Sequence, residues 1–225
     1  MNLPSRTTAP LHVTFTFDFA DPFAYLVSKL VPRACREAEA ALTLEPVHAR
    51  RLGAAGGVPP KPWPAVEAAA ARLGMEVRVP RRYPFDSARL LETCLFIKDR
   101  SGQEAMAAVT DSLWEAIWVL GEDPESRQTA IRAGRSVAVP EPALEKALAD
   151  SRMPAMLERV TRRAADRGVD AVPAIRLDAG LFVGFEAVLD GVARLGGSLP
   201  TGKGGAREGP GDDDDPAVPD WTFSG

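Results

Sequence analysis

Val13-Thr14-Phe15-Thr16-Phe17-Asp18-Phe19-Ala20-Asp21-Pro22-Phe23-Ala24-Tyr25-Leu26 is the stretch whose pattern decides the fold. Its first half alternates, with Val13, Phe15 and Phe17 on one side and Thr14 and Thr16 on the other. That is the period of a β-strand, built from residues that favour strands. Asp21-Pro22 then ends the alternation. Asp is a favoured helix N-cap and Pro a favoured first helical residue. A helix is therefore expected from Asp21 through Tyr25, Leu26 and Val27 towards Glu39. A strand that feeds straight into a helix offers free N–H groups and a positive dipole end at the junction, which suits an anionic group.

Ala41 to Val47 reads as a second strand, with Pro46 placing it near an edge or at the strand's end. The opening is thus β-α-β, with a right-handed crossover. Gly53 to Pro64 is rich in breakers and reads as a loop. The middle of the chain is helical. Ala65 to Leu73 is stopped by Gly74, and Met75 to Pro80 is a short extended piece. Asp86 or Ser87 can cap a helix to about Lys98. Ser101 with Glu104 forms a capping box for another, ending near Gly121. Trp114 and Trp118 share a face of that helix and read as a core stripe rather than a substrate platform. Three further helices are expected over 124–133, 142–149 and 154–165. Ala174 to Leu177 and Leu181 to Val183 then form a hairpin around Asp178-Ala179-Gly180. Gly184 to Leu195 closes the fold as a helix.

The 225 residues, 45% of them hydrophobic, suffice for a large core, and the formal charge of −4 comes without a dense basic stripe. Nucleic acid is therefore not an expected partner. No apolar run near the start is long enough for a signal peptide or membrane span, so a soluble cytoplasmic protein with no membrane contact is expected. Cys35 and Cys94 stand alone in helical patterns, and His12 and His48 are isolated too. No metal spacing is present, and core or surface duty is expected of all four. From Thr201 to Gly225 the chain is polar and carries Asp212-Asp213-Asp214-Asp215, a composition that does not order itself.

A β-α-β start, a helical block and a β-β-α finish give an α/β class, the thioredoxin-like fold with an inserted all-helical domain. The expected division is 11–52 with 168–197 as the thioredoxin-like domain, 53–167 as the helical insertion, and 198–225 as a disordered acidic tail. Several segments then carry a resemblance. Phe17 to Leu26, Tyr83-Pro84-Phe85-Asp86-Ser87, Leu113 to Trp118, Ala171-Val172-Pro173-Ala174 and Leu181 to Glu186 occur in order. Together they resemble the 2-hydroxychromene-2-carboxylate isomerase and kappa-class glutathione transferase group, relatives of the DsbA oxidoreductases. The likeness covers about 13–195.

The resemblance implies glutathione as cofactor and a small aromatic molecule as substrate, with a homodimer as an open assembly. It places the sulfur near Asp21, Pro22 and Phe23. It implies that Val172 offers its backbone to the cysteinyl part of glutathione, before a cis Pro173. Phe185 and Glu186 correspond to the segment that meets the γ-glutamyl amine. Lys61 is a candidate for the family's lysine, and Trp63 and Asp86 for the substrate pocket. Asp21 stands where the family has the serine that holds the sulfur. Three outcomes are open: Asp21 is a catalytic base for the thiol, it is protonated in the complex, or it only caps the helix. A cap bonded to N–H groups has a lowered pKa, which favours the third. Asp86 replaces an Asn of the pattern, and Phe185 a small polar residue.

The function implied is glutathione-dependent cis-trans isomerisation by reversible thiol addition. A kappa-type transferase and a non-catalytic thiol- or peptide-binding module are the alternatives. A disulfide oxidoreductase is disfavoured, because Asp21 and Ala24 leave no dithiol at the helix start.

Overall fold

The computed structural model describes residues 11–52, 61–178 and 180–197. The lead-in, most of the Gly-rich loop, the centre of the hairpin turn and the acidic tail expected from the sequence lie outside the described residues. Strand β1 (His12–Phe17) is followed by helices α1 (Pro22–Ser28) and α2 (Val31–Glu37) and strand β2 (Ala41–Pro46). Helices α3 (Trp63–Arg72), α4 (Ala88–Trp118), α5 (Arg127–Arg135), α6 (Glu141–Leu148) and α7 (Arg152–Asp166) come next. Strands β3 (Ala174–Leu177) and β4 (Gly180–Val183) and helix α8 (Phe185–Arg194) complete the fold.

The strands form one sheet in the order β2-β1-β3-β4. β1 runs parallel to β2, with Phe15 opposite Leu44, and antiparallel to β3, with Phe15 opposite Ile175. β3 pairs antiparallel with β4. The expected sheet is thus present, and Pro46 ends an edge strand, where a missing N–H costs no ladder bond. The expected strand faces also hold: Val13, Phe15 and Phe17 are buried. Thr16 is buried as well, because β1 is central, and its hydroxyl donates to Glu45 Oε2 at 3.0 Å.

Two local expectations are corrected. The single helix from Asp21 to Glu39 is two helices, because Pro32 sits in the first turn of α2, has no N–H and cannot continue α1. The two helices expected to meet at a Ser101 cap form one long element whose break falls on Gly102, at φ 88°. Glycine reaches that conformation without a Cβ clash. Met75 to Pro80 lies outside the sheet, as expected of a short connecting piece, and its Arg78 N–H donates to Trp118 C=O at 2.8 Å beside the end of α4.

One apolar core runs from the sheet into the helical block. Phe17 meets Phe19 edge-on at 5.4 Å, and Phe19 meets Trp114 at 4.6 Å. Trp118 Nε1 donates to Phe19 C=O at 3.1 Å. Trp114 and Trp118 are therefore the core stripe expected of them, and they clamp the turn after β1 against α4. That clamp fixes Asp18 and Asp21 in space. A smaller cluster of Val47, Ala49, Leu52, Ala164, Val169, Val172 and Ala174 supports the turn after β2.

Candidate active site

The site grows from the turn between β1 and α1. Asp18 is buried at the end of β1. Its Oδ1 accepts from Ala20 N–H at 2.9 Å and its Oδ2 from Ala49 N–H at 2.7 Å, tying the turn after β1 to the one after β2. Burial pushes its pKa up, against the pull of these N–H groups and of His48. Asp21 caps α1 as expected: Oδ1 accepts from Ala24 N–H at 3.0 Å. Its other oxygen, Oδ2, is buried and has no hydrogen-bond partner among the described residues. Lys61 Nζ lies 3.9 Å from it.

Here the expectation of a lowered Asp21 pKa is overturned. Burial pushes it up to about 6, and Asp18 adds to the rise, against the pull of Lys61 and the Ala24 N–H. The two roles of Asp21 do not compete, because one oxygen caps the helix while the other is free.

Asp18, Asp21, His48, Lys61, Tyr83 and Ser87 line a notch with about 40 Å³ open to water. That is room for a water or two, or for the head of a ligand, while the rest of any ligand lies outside. Tyr83 Oη accepts from Lys61 N–H at 3.1 Å, which ties the Lys61 backbone to the notch wall. Pro22 is buried at the start of α1. Phe23 extends the wall: its ring lies 4.9 Å from that of Phe185, and Lys61 Nζ lies 5.9 Å from its centroid.

The other sequence candidates are dispersed. Val172 is buried before Pro173, and the bond between them is cis. Among the described residues, the Val172 backbone N–H and C=O make no hydrogen bond to other backbone groups outside helices and strands. Glu186 starts α8 but points to Arg72, whose Nη2 lies 2.8 and 3.0 Å from its two oxygens. Trp63 stands outside the notch, its ring against Tyr83 and its Nε1 donating to Glu67. Asp86 lies at the surface behind the notch, where its Oδ1 takes the Ala88 N–H at the start of α4. The same oxygen is 3.2 Å from His48 Nε2.

Asp18, His48 and Ser87 are site residues that sequence reasoning missed. For two of them the signal was position: Asp18 directly follows the carboxyl end of β1, and His48 follows that of β2 after Val47, where sites of α/β sheets collect. The free cysteines, Cys35 and Cys94, are both buried away from this notch, and burial raises their thiols to about 11 and about 12. Neither is a nucleophile here.

A sheet of this order, interrupted by helices between β2 and β3 and carrying its polar notch at the β1–α1 turn, defines a thioredoxin-type scaffold. The chain belongs to the family of DsbA-like thioredoxin domains, whose model matches residues 12–193. Among solved structures it is similar to a 2-hydroxychromene-2-carboxylate isomerase, at 19% identity and a TM-score of 0.73, covering 82% of this chain and 94% of that one. It is also similar to a probable DsbA oxidoreductase from Streptomyces coelicolor, at 16% identity and a TM-score of 0.63, covering 93% of this chain and all of that one. A third is the cytosolic disulfide reductase DsbM from Pseudomonas aeruginosa with GSH, at 18% identity and a TM-score of 0.57, covering 82% of this chain and all of that one. At these identities the likeness is one of fold. The comparison with curated protein sequences returns no match. No described helix is long and apolar enough to cross a membrane.

Proposed function

We propose that this chain is a glutathione-dependent isomerase of a small conjugated aromatic compound, with Asp21 as the proton acceptor for the thiol. One observation carries the proposal: Asp21 has a buried, unpartnered oxygen in a notch sized for a ligand head, on a helix start that lacks cysteine. The notch fits a thiol head, and the Val172 backbone suits a peptide-like arm. When bound, glutathione supplies a sulfur nucleophile that adds reversibly to a conjugated double bond and so lets it rotate.

The chain's own residues do the rest. Asp21 Oδ2 takes the thiol proton and returns it at the end of turnover, and its pKa near 6 brings it closer to a thiol than an ordinary carboxylate is. Lys61 sits where it offsets negative charge at the notch. Phe23 and Phe185 pack together and offer apolar surface next to Lys61. The 2-hydroxychromene-2-carboxylate isomerase relative and the structure of DsbM with GSH support this reading at the level of scaffold.

The test is turnover of cis conjugated aromatic keto acids with glutathione, with S-methylglutathione, and without either. Turnover with glutathione alone, lowered about 100-fold or more in Asp21→Asn, is expected, the loss typical of removing a general base. Turnover indifferent to glutathione or to Asp21→Asn sinks the reading. Conjugates that accumulate without isomerisation point to a transferase. Binding without either points to a binding module.

A further inference from the structure

Behind Asp21 the notch holds a second set of groups that the thiol chemistry does not use. His48 is 7% exposed, and its backbone N–H donates to Thr161 Oγ1 at 3.0 Å, so α7 fixes its place. Its ring Nε2 lies 3.2 Å from Asp86 Oδ1. Burial alone would raise the Asp86 pKa, but the Ala88 N–H, the His48 ring and Arg50 together hold it below the ordinary carboxylate range. An ionised carboxylate only accepts, so Nε2 carries the hydrogen, and whenever the ring is neutral its Nδ1 is a bare lone pair. Nδ1 is buried and has no partner among the described residues. Unbonded buried polar atoms are costly. With Asp21 Oδ2, two such atoms belong to residues lining one notch.

We infer that His48, oriented by Asp86, is a second proton acceptor of this notch, taking the proton of a neutral O–H or S–H group that docks there. The inference deepens the isomerase reading and rests on the same notch. The groups around the ring are Asp18, Asp21 and Asp86, offset by Lys61 and Arg50, with Tyr83 neutral. Arg50 is directed to Phe85 C=O, at 3.3 Å. An incoming anion would meet two carboxylates, so the notch favours a neutral proton donor. In the step, the O–H or S–H bond breaks and its electron pair stays on oxygen or sulfur. The proton bonds to Nδ1, and the imidazolium formed faces the Asp86 carboxylate. The reverse step restores both groups, with no net redox change. Asp86 acts through His48 and is a positioning residue.

The experiment uses 4-nitrophenol as the O–H probe and glutathione as the S–H probe, each read by the absorbance of its anion. Two histidines in the chain make ring-nitrogen NMR of His48 direct. The free protein is expected to show the Nε2–H tautomer, turning doubly protonated as a probe binds. The ionised fraction of the bound probe should exceed that of the free probe at least tenfold below its own titration, fall to the free value in His48→Gln, and fall part-way in Asp86→Asn. An Nδ1–H tautomer in the free protein, an absorbance unchanged by His48→Gln, or no ionised signal with either probe overturns the inference. Thiolate absorbance lost in His48→Gln but kept in Asp21→Asn supports His48 and removes Asp21 as the thiol's acceptor. Loss of glutathione-dependent turnover with an intact nitrophenolate signal refutes the isomerase reading alone.

Discussion

Asp21 Oδ2 and Lys61 Nζ stand 3.9 Å apart, too far for a hydrogen bond and close enough for a Coulombic hold. The carboxylate is almost fully buried while the ammonium is half-buried. Desolvation therefore outweighs the attraction, and the acid is held near 6 instead of at its ordinary 3.8.

This sets a stability prediction with a definite sign. The folded state binds the Asp21 proton up to a pH of about 6, the unfolded state only to about 3.8. Stability from this group is thus present in acid and is lost as pH rises through about 6. A rise of that size corresponds to about 3 kcal/mol. Asp21→Asn keeps a cap and removes the charge. It should match wild type near pH 4 and exceed it by up to about 3 kcal/mol near pH 8 in urea unfolding. Equal stability gains at both pH values would show that burial is not the cause.

Asp21→Ser tests the thiol assignment from the other side. A hydroxyl can hold a thiolate but is a poor proton acceptor. The variant should fold and bind glutathione, with the thiolate forming only at higher pH than in wild type because the proton acceptor is gone. Ultraviolet titration of the complex reads this directly. A thiolate favoured at lower pH than in wild type would mean that Asp21 opposes ionisation through its charge and is not the thiol's acceptor.

Arg72 and Glu186 give a prediction on binding. Their pair, with Arg72 Nη2 donating to both Glu186 oxygens, is exposed, and such pairs are worth about 0–1 kcal/mol. If an amine of glutathione uses Glu186, it must displace Arg72. Arg72→Met should then tighten glutathione up to about fivefold by calorimetry. Weaker binding instead would place a glutathione carboxylate on Arg72.

Trp118 and Trp114 form a matched pair for the clamp on the β1–α1 turn. Trp118→Phe strands the buried Phe19 C=O, which costs about 1–3 kcal/mol beyond lost packing. Trp114 Nε1 has no partner among the described residues, so Trp114→Phe lacks that penalty. Denaturant midpoints of the two variants should differ by that amount. Equal losses would show that the hydrogen bond does not hold the turn.

Gly191 sits where α8 crosses the hairpin. A Cβ there would come within 2.5 Å of Ile175 Cδ1 and 3.2 Å of Phe182 Cγ. Gly191→Ala should cost about 1–3 kcal/mol by overpacking, seen as a lower Tm. An unchanged Tm would mean that α8 can shift outward freely.

The sequence alone determined the strands and the cap at Asp21, because each rests on periods and caps spanning a few neighbouring residues. The alternation at 13–17, the Asp21-Pro22 start and the hairpin at 174–183 are signals of that kind. Pro32 splits the helix expected from Asp21 to Glu39, and Gly102, not Ser101, carries the break in α4. The absence of a cysteine pair at the start of α1 was likewise plain.

Only the tertiary structure brought His48 to Asp86, 38 residues apart, and Arg72 to Glu186, 114 apart. No local pattern encodes such meetings, since they follow from how the helical block closes over the sheet. The direction of the Asp21 pKa was misjudged for the same reason. The cap predicts a lowered pKa, but the desolvation that reverses it is supplied by residues distant in the chain.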